Sequence, residues 1–136
     1  PKGLGTGARR IAGLVEMVDV LPTLLGLSGL PAEPAMAGRS WADDLLAGRD
    51  GFGRPDVLAL HGPGMAMLRT ATHKLLRYPL AEGSSEVLYD LVADPGERRN
   101  VAGDPACAGI LAHLRSRLLD RVLAATRSPQ RRMFRF

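Results

Sequence analysis

Three histidines, one cysteine and a spread of acids and arginines are the residues of this chain that could do chemistry. His61 closes an apolar run beside Gly62-Pro63-Gly64, where a side chain can project into a cleft. The plainer reading is a surface histidine at a strand end. Arg69, His73 and Lys74 crowd together, and cations so placed attract an anion. Their more ordinary role is to pair with a carboxylate such as Glu86, Asp90 or Glu97. In an unbroken strand, 69 and 73 share a face and 74 points the other way. A bulge near Thr72 reverses that relation. His113 falls in a helical pattern and reads as solvated or half-buried. Cys107, in Pro105-Ala106-Cys107-Ala108-Gly109, reads as a small apolar residue near a helix start. Among the acids, Asp43 and Asp44 are adjacent and diverge on a helix, Asp90 and Asp94 flank a turn, and Asp19 precedes an apolar stretch as an N-cap. Caps and turns explain these acids better than a metal ion does.

Four strand-like runs position the histidines and the cationic group: Asp56–His61, Met65–Ala71, His73–Tyr78 and Glu86–Leu91. Gly62-Pro63-Gly64 and the polar stretch 81–85 are turns. Only Thr72 parts the second run from the third, so the pair is a tight hairpin or one bulged strand. The spacing predicts an antiparallel meander. Glu86–Ala102 is the hinge between this sheet and a terminal helix. Its turn Asp94-Pro95-Gly96 has proline to fix φ and glycine to take the dihedral that closes it. Asp104 or its loop caps the terminal helix, with Pro105 at the first position. Leu111, Leu114, Leu118 and Val122 form its apolar stripe, which predicts a helix lying across one sheet face.

Upstream, Leu14–Val18 reads as a short strand. A helix starts from Asp19, with Pro22 in its first turn and Leu21, Leu24 and Leu25 on its apolar face, and ends near Gly29. Residues 31–40 are a crossing loop. Ser40 caps a second helix over Trp41–Ala47, with Trp41, Leu45 and Leu46 inward, and Trp41 and Tyr89 read as core anchors. Residues 1–10 read as a Gly-rich loop. The expected fold is α+β: a small antiparallel sheet of about four strands against a C-terminal helix, with N-terminal helical segments. The division expected is 1–55, 56–126 and a basic tail, 127–136.

The chain has 136 residues, 46% of them apolar, which suits one globular domain. One cysteine rules out an internal disulfide framework and leaves the redox compartment open. The net charge of +4 rests on arginines interleaved with acids, and only the tail concentrates them. With 4% aromatics there is no stacking platform, and no nucleic-acid module is present. No apolar run approaches the roughly 20 residues of a membrane span. The chain starts at Pro1 without an initiator methionine, so cytoplasmic and periplasmic or secreted locations both stay open.

Four segments, in order, resemble the sulfatases, the formylglycine-dependent branch of the alkaline phosphatase superfamily. Leu88-Tyr89-Asp90-Leu91 with Asp94, Pro95, Glu97, Asn100, Val101 and Ala102 resembles the family's closing signature. Val18-Asp19-Val20-Leu21-Pro22-Thr23-Leu24-Leu25 is similar to its "VDLxPTLL" segment, and Gly38-Arg39-Ser40 to its "GxS" step. Arg69-Thr70 with Lys74-Leu75 resembles its "RT-x-x-x-K" hairpin. The resemblance implies a C-terminal part of an enzyme that hydrolyses sulfate esters. It also implies a parent protein with a divalent cation, usually calcium, and a formylglycine made from a Cys/Ser-x-Pro-x-Arg motif. Cys107 lacks both the proline and the arginine of that motif, so no catalytic residue, metal ligand or cofactor is expected here. The expected partners are the missing N-terminal α/β core of the same protein and a sulfated small molecule or carbohydrate. His61, Arg69, His73 and Lys74 are the candidate substrate contacts. A related phosphonate or phosphate monoester hydrolase, or a free-standing interaction module, are the alternatives. If the chain belongs to a larger protein, Leu14–Leu25 docks on it, and cut loose it leaves an exposed apolar patch.

Overall fold

The structure, a computed structural model, describes residues 10–127, and side chains as far as Thr126. The expected loop at 1–10 and the basic tail at 127–136 lie almost wholly outside the described residues. The described residues divide into two compact units, one running to residue 54 and taken up again from 125, and one of residues 55–124.

In the second unit, β1 (Asp56–His61), β2 (Met65–Thr70), β3 (His73–Pro79) and β4 (Ser84–Asp90) form an antiparallel meander in chain order. Of the two alternatives at Thr72, the hairpin is the one present, with Ala71-Thr72 at its tip. Thr70 Oγ1 accepts from the amides of Thr72 (3.3 Å) and His73 (3.0 Å), which holds the turn tight. Leu58, Leu68, Leu75 and Leu88 stand opposite one another across all four strands. Period-two alternation puts them on one face. There Leu68, Leu75 and Leu88 are fully buried with Leu111, Leu114 and Leu118 of α3 (Ala108–Arg127), as its stripe predicts. Asp104 accepts from the Ala106 amide at 3.0 Å and caps the short 3₁₀ turn Pro105–Cys107 that leads into α3.

The arginines of α3 do more than face water. Arg115 donates to Glu86 on β4 at 2.8 and 2.5 Å. Arg117 pairs with the buried Asp56 on β1, and Arg121 faces the same carboxylate at 3.3 Å. The helix is thereby tied to both edge strands as well as to the leucine row between them.

In the first unit a 3₁₀ turn, Met17–Asp19, runs into α1 (Val20–Leu27), and α2 (Ala42–Leu46) comes after a loop. Two expectations fail here. Leu14–Val18 is no strand: only Leu14 makes a bridge, to Arg54, because the chain turns at Met17. Leu46 faces solvent, since a five-residue helix buries only the side carrying Trp41 and Ala42. Tyr89, in the second unit, is likewise no core anchor: it lies on the sheet face opposite the leucine row and is half-buried.

Candidate functional site

The segment after β4 is built from side-chain oxygens that take backbone amides. Asp90 Oδ1 accepts from Val92 (2.9 Å) and Ala93 (3.0 Å). These amides, with a smaller contribution from His73, hold its carboxyl below the usual range. Asp94 Oδ2 accepts from Arg98 (2.6 Å) and Arg99 (2.8 Å). The left-handed residue of this turn is Glu97 (φ 54°), not the glycine before it. Asn100 Oδ1 receives both the Leu88 amide of β4 and the Ala102 amide, each at 3.0 Å. Asn100→Ala strands the Leu88 amide at the rim of the core. The expected cost is about 1–2 kcal/mol, read as a lower urea midpoint with an unchanged m-value.

Of the four candidate contacts, the hairpin brings two together. Arg69 and Lys74 are directly opposite across β2 and β3, on the sheet face away from α3, in a row with Val57 and Tyr89. His73, opposite Asp90, is on the other face, with Nδ1 2.9 Å from Thr72 Oγ1. His61 shares the face of Arg69 but pairs with Met65 at the far end of β1. Four residues of strand, about 13 Å, separate it from that row. Lys74 is engaged by Glu97 at 2.6 Å, which also explains why Glu97 tolerates its backbone conformation. Arg69 is exposed and forms no ion pair among the described residues.

A second constellation, missed from the sequence, surrounds Asp19. Only 1% exposed, it stands at the N-cap position of α1, but its side chain makes no bond to that helix; it closes a capping box with Glu16 and anchors the first unit. Its carboxylate receives Arg54 through both Nε (2.8 Å) and Nη2, the Glu16 amide (3.0 Å), the Arg39 amide (2.8 Å) and Trp41 Nε1 (3.3 Å). Burial pushes its pKa up, but the donors of Arg54, Arg39, Glu16 and Trp41 together outweigh this and hold it well below the usual range. The approach needs glycine: a Cβ on Gly38 would sit 1.8 Å from the Val18 carbonyl oxygen. The Arg39 guanidinium lies 4.4 Å from the Trp41 ring centroid, and Phe52 stacks on the same indole at 5.3 Å. The sequence signals of this site are the aspartate inside an apolar run and the Gly38-Arg39-Ser40 step, and neither announces the contact with Arg54.

The described residues do not fit the cation or the formylglycine of the family. The best-placed carboxylates, Asp19 and Asp56, are each taken up by arginine, and no group of three acids, histidines or cysteines is arranged to hold a metal among the described residues. Cys107 is a half-buried neighbour of the leucine core.

A four-stranded antiparallel meander under one terminal helix, closed by the Asp90–Ala102 segment, defines an α+β layer. No family model matches the chain. The Delta 4,5-hexuronate-2-O-sulfatase of Bacteroides thetaiotaomicron is 37% identical over 111 residues, which are 76% of this chain and 22% of that protein. The solved structure of a 2-O GAG sulfatase matches with a TM-score of 0.76 at 29% identity, over 98% of this chain and 30% of its own. The phosphonate monoester hydrolase of Agrobacterium radiobacter matches with a TM-score of 0.57 at 24% identity, over 75% and 23%, a likeness of fold alone. The chain is a homologue of the C-terminal part of the sulfatases. It spans less than a third of the length of these proteins.

Proposed function

We propose that this chain is the C-terminal portion of an enzyme that hydrolyses sulfate esters, R–O–SO₃⁻ + H₂O → R–OH + HSO₄⁻. The observation that carries the reading is the 37% identity with a sulfatase over most of the chain. The nucleophile, the cation and the formylglycine belong to an α/β core preceding this portion. The portion supports that core and borders the substrate cleft, and the substrate is a sulfated carbohydrate. Of His61, Arg69, His73 and Lys74, Arg69 is the best placed to meet an anion, because Lys74 already has Glu97 and His73 faces the other way. In the parent polypeptide, Arg69→Ala is expected to raise KM several-fold with little change in kcat, as loss of uniform binding does. A related phosphonate or phosphate hydrolase shares the fold but not the identity. The reading frame upstream of Pro1 separates either enzyme from a free-standing module. A Cys/Ser-x-Pro-x-Arg motif with Asp-rich metal segments is expected there, and an unrelated or absent upstream region would return the chain to a free-standing interaction module.

A further inference from the structure

We infer that the outer face of Met17–Leu24 is the seat on which the α/β core of the parent polypeptide packs, an inference that rests on the reading above. Helix α1 is apolar on both sides. Its inner side is satisfied within the first unit: Pro22 is buried, Thr23 Oγ1 donates to the Asp19 carbonyl (2.6 Å) and accepts from the Trp41 amide (3.1 Å), and Gly26 abuts Ala42. The opposite side carries Met17, Val20, Leu21 and Leu24 at helical spacing, and these are 85%, 46%, 56% and 55% exposed. Val15 and Val18 extend the exposed apolar surface. A helix apolar all round belongs in an interior, and one of eight residues needs packing to persist.

The chemistry of the face narrows its occupant. Helices that lie on a bilayer carry lysine or arginine along a polar side, and α1 has no charged residue. No described helix is long and apolar enough to cross a membrane. More than two thirds of the length of the matched sulfatases lies outside this chain, so the cover of the right chemistry is the body that the same polypeptide supplies. Contiguous apolar patches of this kind mark interfaces.

The test uses the parent polypeptide with Cys107→Ser and one new cysteine at a time: Met17→Cys, Leu21→Cys or Leu24→Cys. Maleimide labelling is timed in native buffer and in urea. Labelling about 100-fold slower in native buffer at all three positions is expected, as for sites reached only by opening. Native labelling as fast as in urea overturns the inference. So does protection that vanishes on dilution together with a dimer, since a second copy is then the cover. Sulfate release by the same preparation reports separately on the enzyme reading. Protection without release supports the docked face and overturns that reading, and release without protection does the reverse.

Discussion

Asp19→Ala is expected to destabilise the chain by about 3–5 kcal/mol, the range for breaking a buried ion pair from one side. The substitution removes the acceptor of Arg54, of two backbone amides and of the indole N–H at once. Arg54 keeps Glu16 at 3.4 Å, a longer contact that replaces only part of what is lost. Trp41 is the single tryptophan and touches Asp19 directly, so its fluorescence in urea reports on this unit. The same contacts set the pH dependence. The folded state holds the Asp19 carboxyl below its unfolded value, so the stability it contributes is complete above the ordinary carboxylate pKa, near pH 4. It is lost as pH falls below that value toward the folded one. Asp19→Asn should therefore flatten the acid limb of the stability profile. An unchanged limb would show that another carboxylate governs it.

Asp56→Ala should cost about 2–3 kcal/mol in the second unit, since the carboxylate is buried while Arg117 and Arg121 keep access to water. Asp56 is 2% exposed and meets both Arg117 and Arg121, one turn apart on α3. Removing it leaves two guanidinium groups at the edge of the leucine core without the carboxylate that drew them there. The penalty is the loss of the charge-assisted bonds and of the packing they organise, and replacing all three residues by apolar ones should undo most of it. Asp56→Leu combined with Arg117→Met and Arg121→Met is expected to recover most of the loss in urea unfolding followed by circular dichroism. Failure to recover would mean that the pairs position α3 on β1 in a way that apolar packing does not.

The sheet is legible in the sequence because its signals are local. Period-two alternation, Gly62-Pro63-Gly64 and the polar turn before β4 set the strands to within about two residues, and the stripe of α3 places it on the leucine row. Pattern does not decide the hairpin at Thr72, because both alternatives keep the same alternation on either side. Thr70 decides it, with a hydroxyl that takes the two amides of the turn. The facing of Arg69, His73 and Lys74 depends on that turn and on nothing visible in their types. Asp19 reads from sequence as a cap, and it does hold the N-cap position of α1, but its carboxylate goes elsewhere. What draws it there is Arg54, 35 residues away, and no local pattern announces such a contact. Glu97 takes the left-handed position beside an available glycine because Lys74 holds its carboxylate and Asp94 holds the amides after it. The exposed apolar face of α1 is the opposite case. Its pattern is visible in the sequence, and Met17, Val20, Leu21 and Leu24 are exposed in the structure.

The most direct test of the central claim is ester hydrolysis by the parent polypeptide, assayed side by side on a panel of sulfated carbohydrates and on a phosphonate monoester, with release of the alcohol as the common readout. Turnover of a sulfate ester well above that of the phosphonate is the predicted result. Turnover of the phosphonate alone, or of neither by a folded protein, would contradict it.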